Sequence, residues 1–179
     1  MALKASIYKA EVQISDMDHN YYNDHQLTIA RHPSENEDRM MVRLLTFIRH
    51  ADESLQFTKG ISTDNEPDLW LRSLSGEIEL WIELGQPDEK RIRQACGRGK
   101  EVYLYLYSGH SAEIWWKKMS GKLATIGNLR IYNLPPHQRD ELSILAHKSM
   151  TLQVTIQDGE IWISDGELNA TINLECWKE

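Results

Sequence analysis

Acidic side chains are concentrated in residues 65–90, which read NEPDLWLRSLSGEIELWIELGQPDEK. Asp68 follows a proline, and Glu79 and Glu83 lie in a run where polar and apolar residues alternate. Strict alternation predicts a β-strand over 77–85 with one apolar face and one acidic face. Carboxylate oxygens suit Mg²⁺ and Mn²⁺, which proteins often bind through one or two carboxylates together with water and phosphate. Asp68, Glu79 and Glu83 are therefore candidate ligands of a divalent metal ion.

The spacing of these acids limits how they could share one ion. Residues on the same face of a strand lie roughly 6.5 to 7 Å apart, so Glu79 and Glu83 would span about 13 Å and Asp68 must come from a neighbouring strand. Clustered carboxylates repel each other, and a bound divalent cation would remove that repulsion. The alternative is that the acidic face is simply the solvent-exposed side of an antiparallel sheet. Trp81 shares that face and favours a site.

A helix that follows the acidic strand supplies candidate cations. The sequence QPDE at residues 86–89 is typical of a helix start, because Pro is tolerated at the first helical position and acids suit the N-terminus. We therefore predict a helix over 87–98. Lys90 is the candidate for stabilising charge on a phosphate, and Arg91 is a candidate for binding the substrate. The alternative for Lys90 is an ordinary solvated lysine on a helix surface.

Residues His32, Glu35 and Arg39 form a second group of candidates, which could face a cleft and contact a substrate. The same segment predicts a helix over 34–52, with Ser34 as the N-cap of a capping box. Helix capping and surface pairing explain the acid and the arginine equally well. Similarly, the adjacent Trp115 and Trp116 could stack on a base or fill the core.

Composition and absent motifs exclude several classes of protein. A chain of 179 residues with 41% hydrophobic content can bury a core and predicts a single domain over 1–179. Its formal charge of −7 argues against a protein that coats nucleic acid, although a local basic patch is compatible with it. Neither the two cysteines nor the histidines have zinc-site or disulfide-framework spacing, and the P-loop, GxSxG and GxGxxG motifs are absent. No stretch approaches the roughly 20 apolar residues that cross a bilayer, so we expect a cytoplasmic protein without a membrane segment. The sequence leaves the oligomeric state open, and we favour a monomer.

The whole chain predicts a mixed α/β fold. We predict strands over residues 5–15, 25–31, 55–61, from 68 to a turn at 73–76, 77–85, 101–107, 128–134 and 170–174. We predict helices over residues 34–52, 87–98, around 115–116 and 135–148. A loop is expected at 62–66, and Asp158-Gly159 predicts a β-hairpin. The run 101–107 is apolar on both faces and therefore predicts a buried central strand.

Four segments of the chain carry a resemblance to a known family: ARHPSE, EPDLW, LWIELGQPDEKRI and TIQDGEIWISD. Over essentially its full length the chain resembles the bacterial YaeQ family, a divergent variant of the PD-(D/E)XK nuclease-like superfamily. This resemblance implies a restriction-endonuclease-like αβββαβ core with extra N-terminal strands and a C-terminal β-hairpin. It also implies that Asp68 is the motif Asp and Glu83 the motif acid, with Glu79 as a second possible acid. The motif Lys would fall at Gly85, so this chain lacks it.

Two functional hypotheses follow from the residues and the resemblance. The first is a Mg²⁺- or Mn²⁺-dependent nuclease that hydrolyses phosphodiester bonds of nucleic acid. It assigns three sets of residues: catalytic Asp68, Glu83 and Lys90; metal-binding Asp68, Glu79 and Glu83; and substrate-binding Arg91, His32, Glu35 and Arg39. The second is a nuclease-like fold that has lost catalysis and serves as a binding or regulatory module. The retained acids favour the first hypothesis, whereas the missing Lys and the negative net charge favour the second.

Overall fold

A computed structural model describes residues 4–59 and 65–179. Within these ranges the chain forms four helices and eleven strands in two mixed sheets, which confirms the predicted mixed α/β fold. In chain order the elements are β1 (Ser6–Asp16), β2 (Tyr21–Arg31), α1 (Glu37–Arg49), β3 (Leu55–Phe57), β4 (Leu69–Arg72), β5 (Ile78–Leu84), α2 (Glu89–Arg98), β6 (Gly99–Leu106), α3 (His110–Leu123), β7 (Leu129–Asn133), α4 (Pro136–Ser143), β8 (Ser149–Gln157), β9 (Glu160–Ser164), β10 (Asn169–Ile172) and β11 (Glu175–Lys178).

The chain divides into two compact units. The first contains the described residues up to Ile48 together with His137–Leu174, and the second contains the described part of Arg49–Pro136 together with Glu175–Glu179. The expectation of a single domain stays a prediction, because the compactness of each unit does not determine whether they unfold together. In the part of the chain that the structure describes, no helix is long and apolar enough to cross a membrane.

The first unit contains a five-stranded sheet in the order β10-β9-β8-β1-β2. Strands β1 and β8 are parallel, and the other neighbours are antiparallel. The predicted alternation in β1 is confirmed, since its buried positions from Tyr8 to Ile14 alternate with exposed ones. The predicted hairpin between β8 and β9 is confirmed too. Asp158 and Gly159 both have positive φ (52° and 77°), as a type I′ turn requires.

Helix α1 begins three residues later and ends three residues earlier than predicted. The predicted Ser34 cap is wrong: Asn36 caps the helix, since its side-chain Oδ1 accepts from the Arg39 backbone N–H at 2.9 Å. Asn is as favourable an N-cap as Ser, so sequence preference alone did not distinguish the two positions. The Ser34 hydroxyl instead lies 2.7 Å from Nδ1 of His32.

The second unit contains a six-stranded sheet in the order β11-β7-β6-β5-β4-β3. Strands β5, β6 and β7 are parallel and are connected through α2 and α3. Both helices bury apolar residues against one sheet face, where Ile92 and Ala95 of α2 and Ala112 and Leu123 of α3 meet Leu104. The predicted central strand is confirmed, because β6 lies between β5 and β7 and its C-terminal half is buried.

Several boundaries in the sequence prediction differ from the structure. Helix α4 ends at Ser143 rather than 148, because Leu145 and Ala146 donate to carbonyls three residues earlier in tight turns. Strand β11 was not predicted, since four polar-rich residues at a sheet edge carry little periodic signal. Strand β3 ends at Phe57, and residues 60–61 of the predicted strand and 62–64 of the predicted loop lie outside the described residues.

Replacement of the observed cap tests the start of α1. We expect Asn36→Ala to lower the free energy of unfolding by about 1 kcal/mol, because the Arg39 backbone N–H loses its partner. Ser34→Ala is the matched control and should lower it by less than about 0.5 kcal/mol, since Ser34 is exposed and does not cap the helix. Urea unfolding measures both values, and a larger loss for Ser34→Ala would contradict the assignment.

Candidate functional site

Asp68 and Glu83 come together beside the hairpin of β4 and β5. Leu69 pairs with Ile82, and the Asp68 backbone N–H donates to the Ile82 carbonyl at 3.0 Å. The Asp68 carboxylate lies close enough to Glu83 for its charge to raise the pKa of that acid. Oδ2 of Asp68 accepts from the Leu84 backbone N–H at 2.9 Å, and both acids are only 5% exposed.

The acidic face of β5 is buried in its C-terminal half, at Trp81 and Glu83. Trp81 is 3% exposed and belongs to the same apolar cluster as Ile92 and Ala95 of α2. The interpretation of this face as solvent-exposed is therefore wrong for Trp81 and Glu83. The physical reason is the connection from β5 through α2 to the parallel strand β6, which lays a helix over the face that carries the acids.

Arg91 neutralises Glu83. Its Nε lies 2.9 Å from both carboxylate oxygens of Glu83, and one terminal nitrogen lies 2.6 Å from Oε1. A terminal nitrogen of Arg91 also donates to the Glu66 carbonyl at 3.0 Å. The first turn of α2 is held by Asp88, whose side chain accepts from the Arg91 backbone N–H at 2.8 Å. The capped helix start thus places one guanidinium over the buried acid.

The environment of Glu83 raises its pKa. Burial is the largest cause because it disfavours the charged form, and the nearby Asp68 carboxylate acts in the same direction. Hydrogen bonding and charge attraction from Arg91 oppose this rise, and the Trp81 indole opposes it further. The ion pair with Arg91 is therefore what keeps a buried carboxylate compatible with the fold near neutral pH.

A cavity of about 540 Å³ adjoins this ion pair. Its described lining carries no acid and consists of Asn65, Trp81, Arg91, Gln94, Ala95, Gly97 and Arg98. The Arg98 guanidinium lies 5.0 Å from the centre of the Trp81 ring and donates to the Asn65 carbonyl at 2.5 Å. Trp81 Nε1 is buried and makes no hydrogen bond of normal geometry with any described residue. The lining therefore offers N–H donors and positive charge.

The other two candidates from the acidic stretch lie apart from this pair. Glu79 accepts from Lys100 at 2.7 Å on the open end of β5, and four residues along a strand separate it from Glu83 by about 13 Å. The hydrogen bonds that Lys100 donates to Glu79 and Glu77 raise its pKa. Lys90 is exposed, and it has no hydrogen bond or ion pair within residues 4–59 and 65–179. Arg91, one position later, is the residue that reaches the acids.

The arrangement does not fit a divalent metal ion as it stands. Among the described residues, no group of three or more His, Cys, Asp and Glu side chains is placed to hold one. Both oxygens of Glu83 already accept from Arg91, and Oδ2 of Asp68 accepts from a backbone N–H. A metal ion would have to displace the guanidinium before it could use Glu83.

The candidates His32, Glu35 and Arg39 belong to the first unit. Glu35 is buried, and its two oxygens accept from Nε and a terminal nitrogen of Arg43, each at 2.7 Å. Arg39 adds a third contact at 3.1 Å, and His32 bonds to Ser34. Arg43 also donates to the Ala30 carbonyl. Glu35 therefore links α1 to the strand before it, which is a structural role.

The sequence did identify Arg91 as a candidate but missed Arg98, Gln94 and the cavity. Arg91 and Arg98 are seven residues apart, so they share one face of a helix, and this spacing was a usable signal. The role of Trp81 could not be found from spacing alone. It depends on α2 covering its face of the sheet.

Removal of Glu35 should be strongly destabilising. We expect Glu35→Ala to lower the free energy of unfolding by about 3 to 5 kcal/mol, because it leaves the buried Arg43 without a counter-charge. The control is Glu53→Ala, an exposed acid whose removal should change stability by less than about 0.5 kcal/mol. Urea unfolding measures both, and a loss below about 1 kcal/mol for Glu35→Ala would reject the structural role.

Glu83→Gln tests the raised pKa. The folded protein holds the Glu83 proton more readily than the unfolded chain, so its contribution to stability is greatest below the ordinary pKa of 4.5 and is lost as pH rises through the raised pKa. Since Gln does not titrate, wild type should lose stability relative to Glu83→Gln over this pH range. Urea unfolding as a function of pH measures the difference.

The control for that experiment is Glu79→Gln, which removes the same formal charge from the same strand and leaves the Glu83 contribution in place. Parallel curves of unfolding free energy against pH for wild type and Glu83→Gln would show that the pKa of Glu83 is not raised.

Known proteins were compared with this chain by sequence and by structure. The family model described as YaeQ protein matches residues 1–174. The "Uncharacterized protein YaeQ" of Escherichia coli (strain K12) is 49% identical over 179 residues, with 100% of this chain and 99% of the relative covered. The protein of the same name from Salmonella typhi is 50% identical with the same coverage.

Two crystal structures have the same fold. The YaeQ protein from Xanthomonas axonopodis pv. citri superposes with a TM-score of 0.94 at 44% identity, covering 97% of this chain and 98% of that one. The YaeQ protein from Pseudomonas syringae gives a TM-score of 0.91 at 31% identity, with 98% and 97% covered. Because the family model and these relatives match almost the whole length, the chain belongs to the YaeQ family.

Proposed function

We propose that this chain is a non-catalytic binding module on a PD-(D/E)XK nuclease-like fold, and that the cavity beside Arg91 and Arg98 binds a phosphate group of its ligand. The observation that carries this proposal is the contact between Arg91 and both oxygens of Glu83. It occupies the acid that a metal-dependent nuclease would need and fixes a guanidinium at the wall of a cavity.

The order of elements supports the likeness to the nuclease fold. Helix α1, strands β3 to β5, helix α2 and strand β6 follow one another as αβββαβ. Asp68 stands before the hairpin and Glu83 lies on its second strand, as the resemblance implies. Gly85, at the position of the motif Lys, has φ of 96°, a conformation that a lysine adopts only with strain. The backbone turn therefore disfavours the residue that catalysis would require.

The chemistry of the cavity supports a phosphate ligand. Two guanidinium groups and the Gln94 amide line it, and its described lining contains no carboxylate. Arginine binds phosphate oxygens through paired, charge-assisted hydrogen bonds. A ligand that brings only acceptors and negative charge would satisfy these groups together.

A metal-dependent phosphodiesterase is the second candidate. The proximity of the two buried acids Asp68 and Glu83 favours it. It requires Arg91 to leave Glu83, so the two candidates predict opposite responses to Mn²⁺.

Titration calorimetry with inorganic phosphate and with adenosine 5′-monophosphate tests the proposal. We expect Arg98→Gln to weaken binding about tenfold, because it removes one charge-assisted contact from an exposed position. Arg72→Gln is the control, since it makes the same charge change at an exposed site that does not line the cavity. Equal affinities for wild type and Arg98→Gln would overturn the proposed site.

A paired variant and a metal titration separate the two candidates. Glu83→Gln combined with Arg91→Gln removes the ion pair without leaving an unpaired charge, and it should abolish phosphate binding while the protein stays folded. Wild type should neither bind Mn²⁺ at this site nor cleave single- or double-stranded DNA or RNA. Mn²⁺-dependent cleavage that is lost in Glu83→Gln would show that the protein is a phosphodiesterase rather than a non-catalytic binding module.

A further inference from the structure

Basic residues are concentrated in the two helices of the second unit. Helices α2 and α3 together carry seven Lys and Arg against two Glu, in a chain whose formal net charge is −7. The charged residues of these helices are Lys90, Arg91, Arg93, Arg98, Lys117, Lys118, Lys122, Glu89 and Glu113. The rest of the chain is therefore strongly acidic, and these two helices carry a local excess of positive charge.

The two helices lie side by side on the same face of the six-stranded sheet. A terminal nitrogen of Arg93 donates to the Lys122 carbonyl at 3.0 Å, and Nζ of Lys122 lies 3.8 Å from Oε2 of Glu89. Ser111 on α3 also bonds to Gln86, just before α2. These contacts join the exposed sides of the two helices, which together we call the α2–α3 surface.

Most cations of the α2–α3 surface are available to a partner. Lys90, Lys117 and Lys118 are exposed, and none of them has a hydrogen bond or ion pair in the described part of the chain. Lys122 is 57% exposed and has only the long contact with Glu89. A cluster of exposed cations that the protein itself does not neutralise is the usual footprint of a polyanion.

We infer that the α2–α3 surface binds the phosphate backbone of a single-stranded nucleic acid, whose chain continues into the cavity of Arg91 and Arg98. This inference rests on the proposed function, since the cavity binds one phosphate of the strand and the α2–α3 surface binds the phosphates that follow it along the strand. Charge complementarity supports it, because only an extended polyanion uses cations from both helices at once. The acidic remainder of the chain would repel the same ligand and so fixes where it binds.

Aromatic residues next to the lysines favour a single strand over a duplex. Trp116 precedes Lys117 in α3, is half-buried, and stacks on Trp177 with ring centres 6.0 Å apart. Grooves that bind single strands combine cations for the backbone with aromatic rings for unpaired bases. In a duplex the bases are already stacked on each other, so no unpaired base is available to stack on these rings.

Fluorescence anisotropy with a labelled oligothymidylate of about 15 nucleotides tests the surface. We expect binding that weakens steeply with salt, and we expect Lys118→Glu with Lys122→Glu to weaken it about tenfold and to lower the salt slope by about 1.4, the value for two phosphate contacts on a single strand. The control is Lys4→Glu with Lys9→Glu, which makes the same charge change at exposed positions of the first unit. The control should bind like wild type.

The other possible outcomes distinguish a failure of the surface inference from a failure of the proposed function. Suppose that phosphate binds and that Arg98→Gln weakens its binding, but that the Lys118 and Lys122 variant binds the oligonucleotide as tightly as the control does. The surface inference is then wrong and the proposed function stands. If the Lys118 and Lys122 variant binds the oligonucleotide more weakly than wild type does, while phosphate does not bind to wild type at all, the proposed function is wrong. The result would then support the surface inference alone. Tighter binding of a duplex than of the single strand would overturn the choice of partner.

Discussion

The ion pair between Glu83 and Arg91 is the interaction on which the second unit's candidate site depends. A carboxylate that is 5% exposed must be neutralised, because an unpaired charge in a protein interior costs several kcal/mol. The counter-charge comes from the first turns of α2, and its position is fixed by the Asp88 cap and by the turn that Gly85 permits. The helix start thus places the Arg91 guanidinium both on the buried acid and at the wall of the cavity.

The same contact sets the chemical character of the site. A guanidinium that bonds to both oxygens of a carboxylate matches the geometry that a phosphate would also use, so Arg91 is oriented before a ligand arrives. Mg²⁺ binds through a few carboxylates and keeps several waters, and it dehydrates reluctantly. To enter here it would have to break a buried ion pair and leave Arg91 without its counter-charge. The arrangement therefore favours an anion over a cation.

The sequence predicted local elements better than the environment of the acids. Alternation located β1 and β5, and the Asp-Gly pair located the hairpin between β8 and β9, because these signals are local. The burial of Glu83 was not predictable in this way, since it depends on which strand lies next to β5 and on the helix between them. Lys90 was preferred to Arg91 for a similar reason. Adjacent helix positions point about 100° apart, so the site residue depends on the exact placement of the helix start.

Net charge was a poor guide to the partner because it averages over regions that a ligand never meets together. At physiological ionic strength the Debye length is about 8 Å, so carboxylates farther away than this are largely screened from a ligand on α2 and α3. The potential that such a ligand experiences is set by the nearby cations, of which Lys90, Lys117 and Lys118 have no hydrogen bond or ion pair with any described residue. An acidic chain can thus carry a surface for a polyanion. The local excess of positive charge on α2 and α3, rather than the value of −7 for the whole chain, determines which partner is attracted.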